Sequence, residues 1–268
     1  MSILSKDILT SSPDHRLRHP RFPRSSRYSP EWIFENNMGP SALWLSEWLA
    51  EVAFPDRGSR VLDMGCGRAI SSIYLAAEFG AEVWANDLWI SATENWARVV
   101  AAGMEGSVHP IHAEAHSLPY AEGFFDSILS MDSYHYYGTD DLYMGCFHKF
   151  VKPGGLIGIV VPGLVKEFPG GQVPEHLARK QKSGGVFWQW DCASIHTADW
   201  WKRLLSQYPF VRLESCEPMQ DGGAVWLAWE KALDAWNGKK MFPSDAECLE
   251  ADGGEYLTFI RMVARRIE

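Results

Sequence analysis

Residues 60–88, RVLDMGCGRAISSIYLAAEFGAEVWANDL, leave a chain few ways to fold. An apolar run through Val61 and Leu62 ends at Asp63 and a tight turn at Gly65, Cys66 and Gly67. Ile70, Ile73, Tyr74 and Ala77 then recur at helical steps, with Gly80 just past the end. A second apolar run, 82–85, closes on Asn86 and Asp87. The order predicts strand, glycine loop, helix and strand, one right-handed βαβ unit of a parallel sheet. Gly65 and Gly67 let the backbone turn sharply and approach a ligand, because no Cβ intervenes. Asp87, about twenty residues beyond the loop, is placed to accept hydrogen bonds from the ribose of an adenine nucleoside.

The loop's details narrow the ligand. A dinucleotide fold wants a third small residue where this chain has Ile70, which argues against a dehydrogenase. Asp63 on the first strand would repel a pyrophosphate, but it suits the ammonium of an amino acid. The pattern Asp63, Gly65, Gly67, with Ala69 in the third glycine's place, resembles the first motif of the class I S-adenosylmethionine-dependent methyltransferases. Two further segments carry the same resemblance. One is HAEAHSLPY at 112–120, followed by FFDSILS at 124–130; the other is FVKPGG at 150–155. Together the three span residues 60–161 in the family's order.

The resemblance implies S-adenosyl-L-methionine as cofactor and assigns residues to it. Asp63 would hold the methionine ammonium, directly or through water, and Gly65 and Gly67 would line the methionine portion. Asp87 would bind the ribose hydroxyls and Leu88 would press on the adenine face. Glu114 would accept from the adenine amino group, with the Ala115 N–H donating to the ring. Met131, ending the fourth strand, would lie on the cofactor side. Blander readings stand beside two of these: Asp87 as the N-cap of the helix after it, and Leu88 as core.

Strand and helix patterns alternate onward: helix 90–102, strand 108–113, strand 124–131, helix 140–151, strand 156–161. Residues 162–196 break the rhythm with Pro, Gly and Trp. Helix 197–208, strand 210–216, helix 223–236 and strand 256–264 follow. The expected fold is a three-layer, Rossmann-like α/β domain with a seven-stranded sheet, mostly parallel, with one antiparallel edge strand. Residues 1–29, rich in Ser, Pro and Arg, read as a flexible basic arm that orders partly against the body. Residues 30–268 read as the methyltransferase domain, with an N-terminal helical lid over 30–58 and a substrate-side insertion over 162–196.

The acceptor side falls at the carboxyl edge after the fourth strand. His135 has an ordinary pKa suited to taking a proton from a nucleophile, and it is the expected catalytic residue; packing under a lid is the alternative. Tyr134, Tyr136, Trp188 and Trp190, with Tyr28 and Trp32 from the lid, are the expected substrate-binding aromatics. Tyr134, Tyr136, Trp188 and Trp190 could equally be core, in a chain with thirteen tryptophans. Thr197 and Asp199 read as helix capping. His112 and His116 do not converge on a metal from a strand-to-loop segment, so none is expected.

A net charge of −9 argues against a nucleic-acid partner. Five cysteines without a C-x-x-C pair suit a reducing compartment, and no apolar run is long enough for a membrane span. The expectation is a cytoplasmic enzyme methylating a small molecule, with oligomeric state open. Methylene transfer to lipid, as in the cyclopropane synthases, and a silent domain serving assembly are the alternatives.

Overall fold

The computed structural model of the chain describes residues 4–10 and 16–267. Helices α1 (Pro30–Asn36) and α2 (Ala42–Ala50) precede the sheet, each capped by a serine hydroxyl, Ser29 and Ser41, that accepts a backbone N–H of the first turn. Strands β1 (Arg60–Met64), β2 (Glu82–Asp87), β3 (Val108–His112), β4 (Phe125–Met131) and β5 (Val151–Leu164) run parallel. Their order is β3-β2-β1-β4-β5, continued by β8 (Leu257–Arg266) and β7 (Val211–Pro218). β8 is antiparallel to both its neighbours, one place in from the β7 edge. A two-residue β6 (His196–Thr197) lies beside the end of β5.

Period-two alternation along these strands divides the core between the sheet's two faces. Val61, Val83, Leu129 and Val160 belong to a cluster with side chains of α2, α3 (Ile70–Phe79) and α8 (Gly222–Asp234). Leu62, Ile128, Ile159 and Val161 pack with α5 (Tyr143–Phe147) and α7 (Ala198–Leu205). Each fully buried aliphatic side chain contributes about 1.5–3 kcal/mol, so the two faces fix the register of every central strand. Helix α4 (Ala92–Ala101) packs by Val99 on the first face and opens with a capping box of Ser91 and Glu94.

Three local expectations change. The helix expected over 140–151 is reduced to α5 and a 3-10 turn at His148–Phe150. Strand β5 starts at Val151, because the pairing jumps from Phe125↔Val151 to Ser127↔Leu156 and residues 152–155 bulge out. Asp126, opposite the bulge, fastens it: Oδ2 accepts the Arg60 N–H at 2.8 Å and Oδ1 accepts from Lys152 Nζ. A further helix, α9 (Ala246–Asp252), stands in a stretch for which no element was expected.

Residues 1–3 and 11–15 of the expected arm lie outside the described residues. From residue 16 on, the arm is seated. Leu17, Phe22 and Tyr28 are buried, and Phe22 stacks on Trp44 at 5.4 Å. Glu47 accepts the backbone N–H groups of Arg24 and Ser25 at 2.8 and 2.7 Å. Packing therefore does not begin at residue 30. Three widely spaced apolar residues among arginines suffice to anchor the segment, too few to read as an element.

Candidate active site

In this strand order the connections leave β1 and β4 in opposite directions, so a crevice opens between their carboxyl ends. A cavity of about 380 Å³ occupies it, with Gly65, Gly67, Asp87 and Met131 on its wall. Leu88, Glu114 and Ala115 complete the side nearest β2 and β3. The loop folds back on β2, where Gly65 N and Cys66 N donate to Asn86 O at 2.9 and 3.0 Å. Gly65 has φ +75°, and a Cβ there would overlap the Ser133 side chain. Glycine is required on both counts. Ala69, in the third glycine's place, also takes a left-handed conformation, at a cost of about 1–2 kcal/mol.

Asp87 serves two purposes at once. Its Oδ2 accepts Gly67 N at 2.8 Å, and its Oδ1 accepts Trp89 N and Ile90 N at 2.8 and 2.9 Å. A carboxylate offers about four acceptor sites, so three backbone donors leave room for about one ribose hydroxyl. Leu88 and Trp89 are about half and two-thirds exposed on the cavity rim, which excludes Leu88 from the core and offers an apolar face to a flat ring. Glu114 accepts the His116 N–H at 2.7 Å and pairs with its Nδ1 at 2.8 Å; that side-chain bond above all holds its carboxyl below the usual range.

Asp63 is placed differently from expectation. It is buried behind the cavity wall and accepts from Ser71 Oγ and Ser72 Oγ, both at 2.6 Å; Ser71 is the one that reaches the cavity. Burial pushes its pKa up to about 6, against the pull of the two hydroxyls. A ligand ammonium would meet Ser71 or backbone first, with Asp63 acting through them.

A second cavity, of about 270 Å³, adjoins the first, and the two share Gly39, Asp132, Tyr136, Asp191 and Phe242. His135 lines this second cavity. It is 3% exposed, its Nδ1 has no hydrogen-bond partner among the described residues, and burial alone lowers its pKa to about 3. A ring held neutral in this way is suited to orienting an acceptor and is a poor proton acceptor near neutrality.

The remaining expected aromatics, Tyr136 apart, line neither cavity. Tyr28 is buried against α3 and donates to Glu78 Oε1 at 2.9 Å, and Trp32 stacks on it at 5.6 Å. Tyr134 is fully buried beside Phe147 and Trp201. Trp188 packs edge-on to Phe168, whereas Trp190 is 88% exposed. The same segments do reach the cavities, through other residues: Phe34, Met38 and Gly39 from the first, Phe187 and Asp191 from the insertion. The loop before α9 adds Phe242, which no motif announced.

Asp132 is the main residue that sequence reasoning passed over. It directly follows β4, at the carboxyl edge, and that position is the available signal, masked by the run of tyrosines after it. Its φ is +54°, and its N–H donates to Val160 O at 2.8 Å. Neither carboxylate oxygen has a hydrogen bond among the described residues, and burial pushes its pKa well above the usual carboxylate range.

A methyltransferase-domain family matches residues 61–155. With the sheet order, the glycine loop and Asp87 in place, residues 61–155 resemble the methyltransferase domain of the class I S-adenosylmethionine-dependent enzymes. It is 32% identical over 120 residues to Methyltransferase GfsG of Streptomyces halstedii, 43% of this chain and 42% of that one. The chain spans less than half the length of the curated relatives it matches. Geranyl diphosphate C-methyltransferase from Streptomyces coelicolor superposes with a TM-score of 0.63 at 16% identity, over 82% of this chain and 76% of that chain. The [4+2]-cyclase SpnF gives 0.62 at 18%, over 83% and 80%. At such identity the likeness is one of fold, and the cyclase illustrates that one fold hosts several chemistries.

Proposed function

We propose that the chain binds S-adenosyl-L-methionine in the first cavity and transfers its methyl group to a small molecule in the second. The junction of the two cavities at Gly39, Asp132 and Tyr136 is the observation that carries this reading. Asp87 would hold a ribose hydroxyl, Leu88 and Trp89 the adenine face, and Glu114 the adenine amino group. Gly65, Gly67 and Ser71 would receive the methionine portion, with Asp63 behind Ser71. The cofactor supplies an activated methyl on a sulfonium; the protein's part is to align the acceptor in line with the C–S bond and keep water out. Met38, against Gly67, and Phe242 add apolar surface to the first cavity's wall.

Methylene transfer to a lipid fits less well. A cavity of about 270 Å³ lies just under the range, about 300–1,000 Å³, of sites for drug-sized ligands, and leaves little space for an acyl chain. Among the described residues no helix is long and apolar enough to cross a membrane. Calorimetry with S-adenosylmethionine, S-adenosylhomocysteine and nicotinamide dinucleotides tests the cofactor half; a labelled-methyl assay on metabolite extracts tests the transfer. Tight cofactor binding with no methyl incorporated under any condition would favour a non-methylating role for the same fold.

A further inference from the structure

The second cavity carries an unusual charge pattern. Asp132, Asp191, Glu230 and Asp245 stand on its wall, against one cation, Lys240. Lys240 is already paired with Asp234 at 2.7 Å. Glu230 and Asp245 are tied into the scaffold, Glu230 accepting Asp245 N at 3.3 Å and Asp245 accepting Gln181 Nε2 at 3.0 Å. The carboxylates of Asp132 and Asp191 accept no hydrogen bond among the described residues, and both face the junction with the first cavity. Between the acids lie aromatic faces from Phe34, Tyr136, Phe187, Trp226 and Phe242.

Acids alone would not define a site. Here His135, 97% buried on the same wall, has an Nδ1 without a partner among the described residues. A polar atom so deeply buried normally finds one, and leaving it unmade costs free energy, so a ligand group is the natural complement. We propose that the acceptor is a small cationic amine, its ammonium held between Asp132 and the aromatic faces and its polar end met by His135. This rests on the methyl-transfer reading above and names its substrate class.

Two rivals are disfavoured by the same wall. A phosphate ester needs basic donors, and the one lysine present is engaged. A diphosphate carried on Mg²⁺ needs a cluster of ligands, yet among the described residues no three His, Cys, Asp or Glu side chains are grouped to hold a metal. Desolvation agrees with a cationic occupant: burial raises Asp132 well above the carboxylate range and Glu230 to about 7, and a cation would displace those protons.

The step balances without any further reactant. The bound ammonium gives one proton to the Asp132 carboxylate and becomes a neutral amine. Its lone pair forms the N–C bond to the methyl as the C–S bond breaks, and that bond's electron pair stays on sulfur. The product is a methylated ammonium and a neutral thioether, and Asp132 returns its proton to water when the product leaves.

Benzylammonium, benzyl alcohol and benzyl phosphate, the last with and without MgCl₂, form a matched series in shape. Their affinities are measured by calorimetry on the full chain saturated with S-adenosylhomocysteine. Benzylammonium is expected to bind at least tenfold more tightly than the other two. Asp132→Asn, which suits the left-handed backbone there, and Glu230→Gln should each reduce that preference, the former at least tenfold. A saturated protein that prefers benzyl phosphate or benzyl alcohol, binds none of the three, or keeps its preference in both variants overturns the proposal. Failure to take up S-adenosylhomocysteine at all overturns instead the methyl-transfer reading on which it rests.

Discussion

Gly39 and Asp132 meet at the seam between the two cavities, so closely that a Cβ on Gly39 would overlap Asp132 Oδ2. Both residues hold left-handed backbone, φ +71° and +54°. One comes from the turn before α2 and the other from the end of β4, so their contact joins the N-terminal segment to the sheet edge. Asn37 steadies the Gly39 side of it, donating to Gly39 O and accepting Ala42 N at 3.2 Å.

Gly39→Ala should therefore do more than strain a turn. Left-handed alanine costs about 1–2 kcal/mol of stability, readable by chemical denaturation. Displacing Asp132 by a fraction of an ångström to an ångström should lower methyl transfer by roughly 10²-fold. Wild-type turnover in a folded Gly39→Ala variant would mean that the seam is not the route of the methyl.

Asp87→Ala removes the acceptor of three backbone donors as well as the proposed ribose contact. Affinity for S-adenosylhomocysteine should fall by at least one charge-assisted hydrogen bond, about 1.5–3 kcal/mol, measured by calorimetry. Stability should fall too, because Gly67, Trp89 and Ile90 lose their partner. Asp87→Asn, which can still accept from some of these groups, should lose less of both.

The pH dependence of stability should reveal His135. Its folded pKa, about 3, lies below the ordinary 6.5. Between those values the unfolded chain binds the extra proton, so stability is full above about pH 6.5 and is lost as pH falls. The maximum contribution is about 5 kcal/mol. Relative to wild type, His135→Gln should gain stability steadily as pH is lowered from 7 to 4 in urea titrations. A difference that does not vary with pH would place a counter-charge beside the ring.

Asp63 should show the opposite sign. Its pKa is raised from 3.8 to about 6, so the folded state holds the extra proton in that window. Wild type should gain up to about 3 kcal/mol over Asp63→Asn as pH falls from 7 to 4. The same titrations, run on this variant, check the sign directly.

Two residues of the insertion should separate cleanly. Trp190, 88% exposed and on neither cavity, should tolerate alanine within about 0.5 kcal/mol and with turnover intact. Phe187, 9% exposed on the second cavity, should cost about 3–5 kcal/mol as a large-to-small change and weaken acceptor binding. Equal effects of the two on acceptor KM would put Trp190 at the acceptor site.

The βαβ unit, the strand alternation and the tight turn at Gly65 and Gly67 were legible in the sequence because they are local. Periodicity selects strand or helix, a tight turn demands glycine, and an acid at a strand end has one neighbourhood to act in. Helix caps at Ser29, Ser41 and Thr197 are equally local, the last foreseen and confirmed by its bond to Trp200 N at 3.3 Å. Which aromatic rings face a cavity was not legible. Tyr28, Tyr134 and Trp188 have the composition of a substrate wall but are spent on packing, and Trp190 is left in solvent. That choice depends on which face of each loop meets the sheet, a matter of long-range packing with no sequence period to report it. The same holds for Asp63 and Asp132. One acid is closed off by two serines from the next helix and the other opened to a shared cavity by a glycine about ninety residues earlier, and only the tertiary structure brings those partners together.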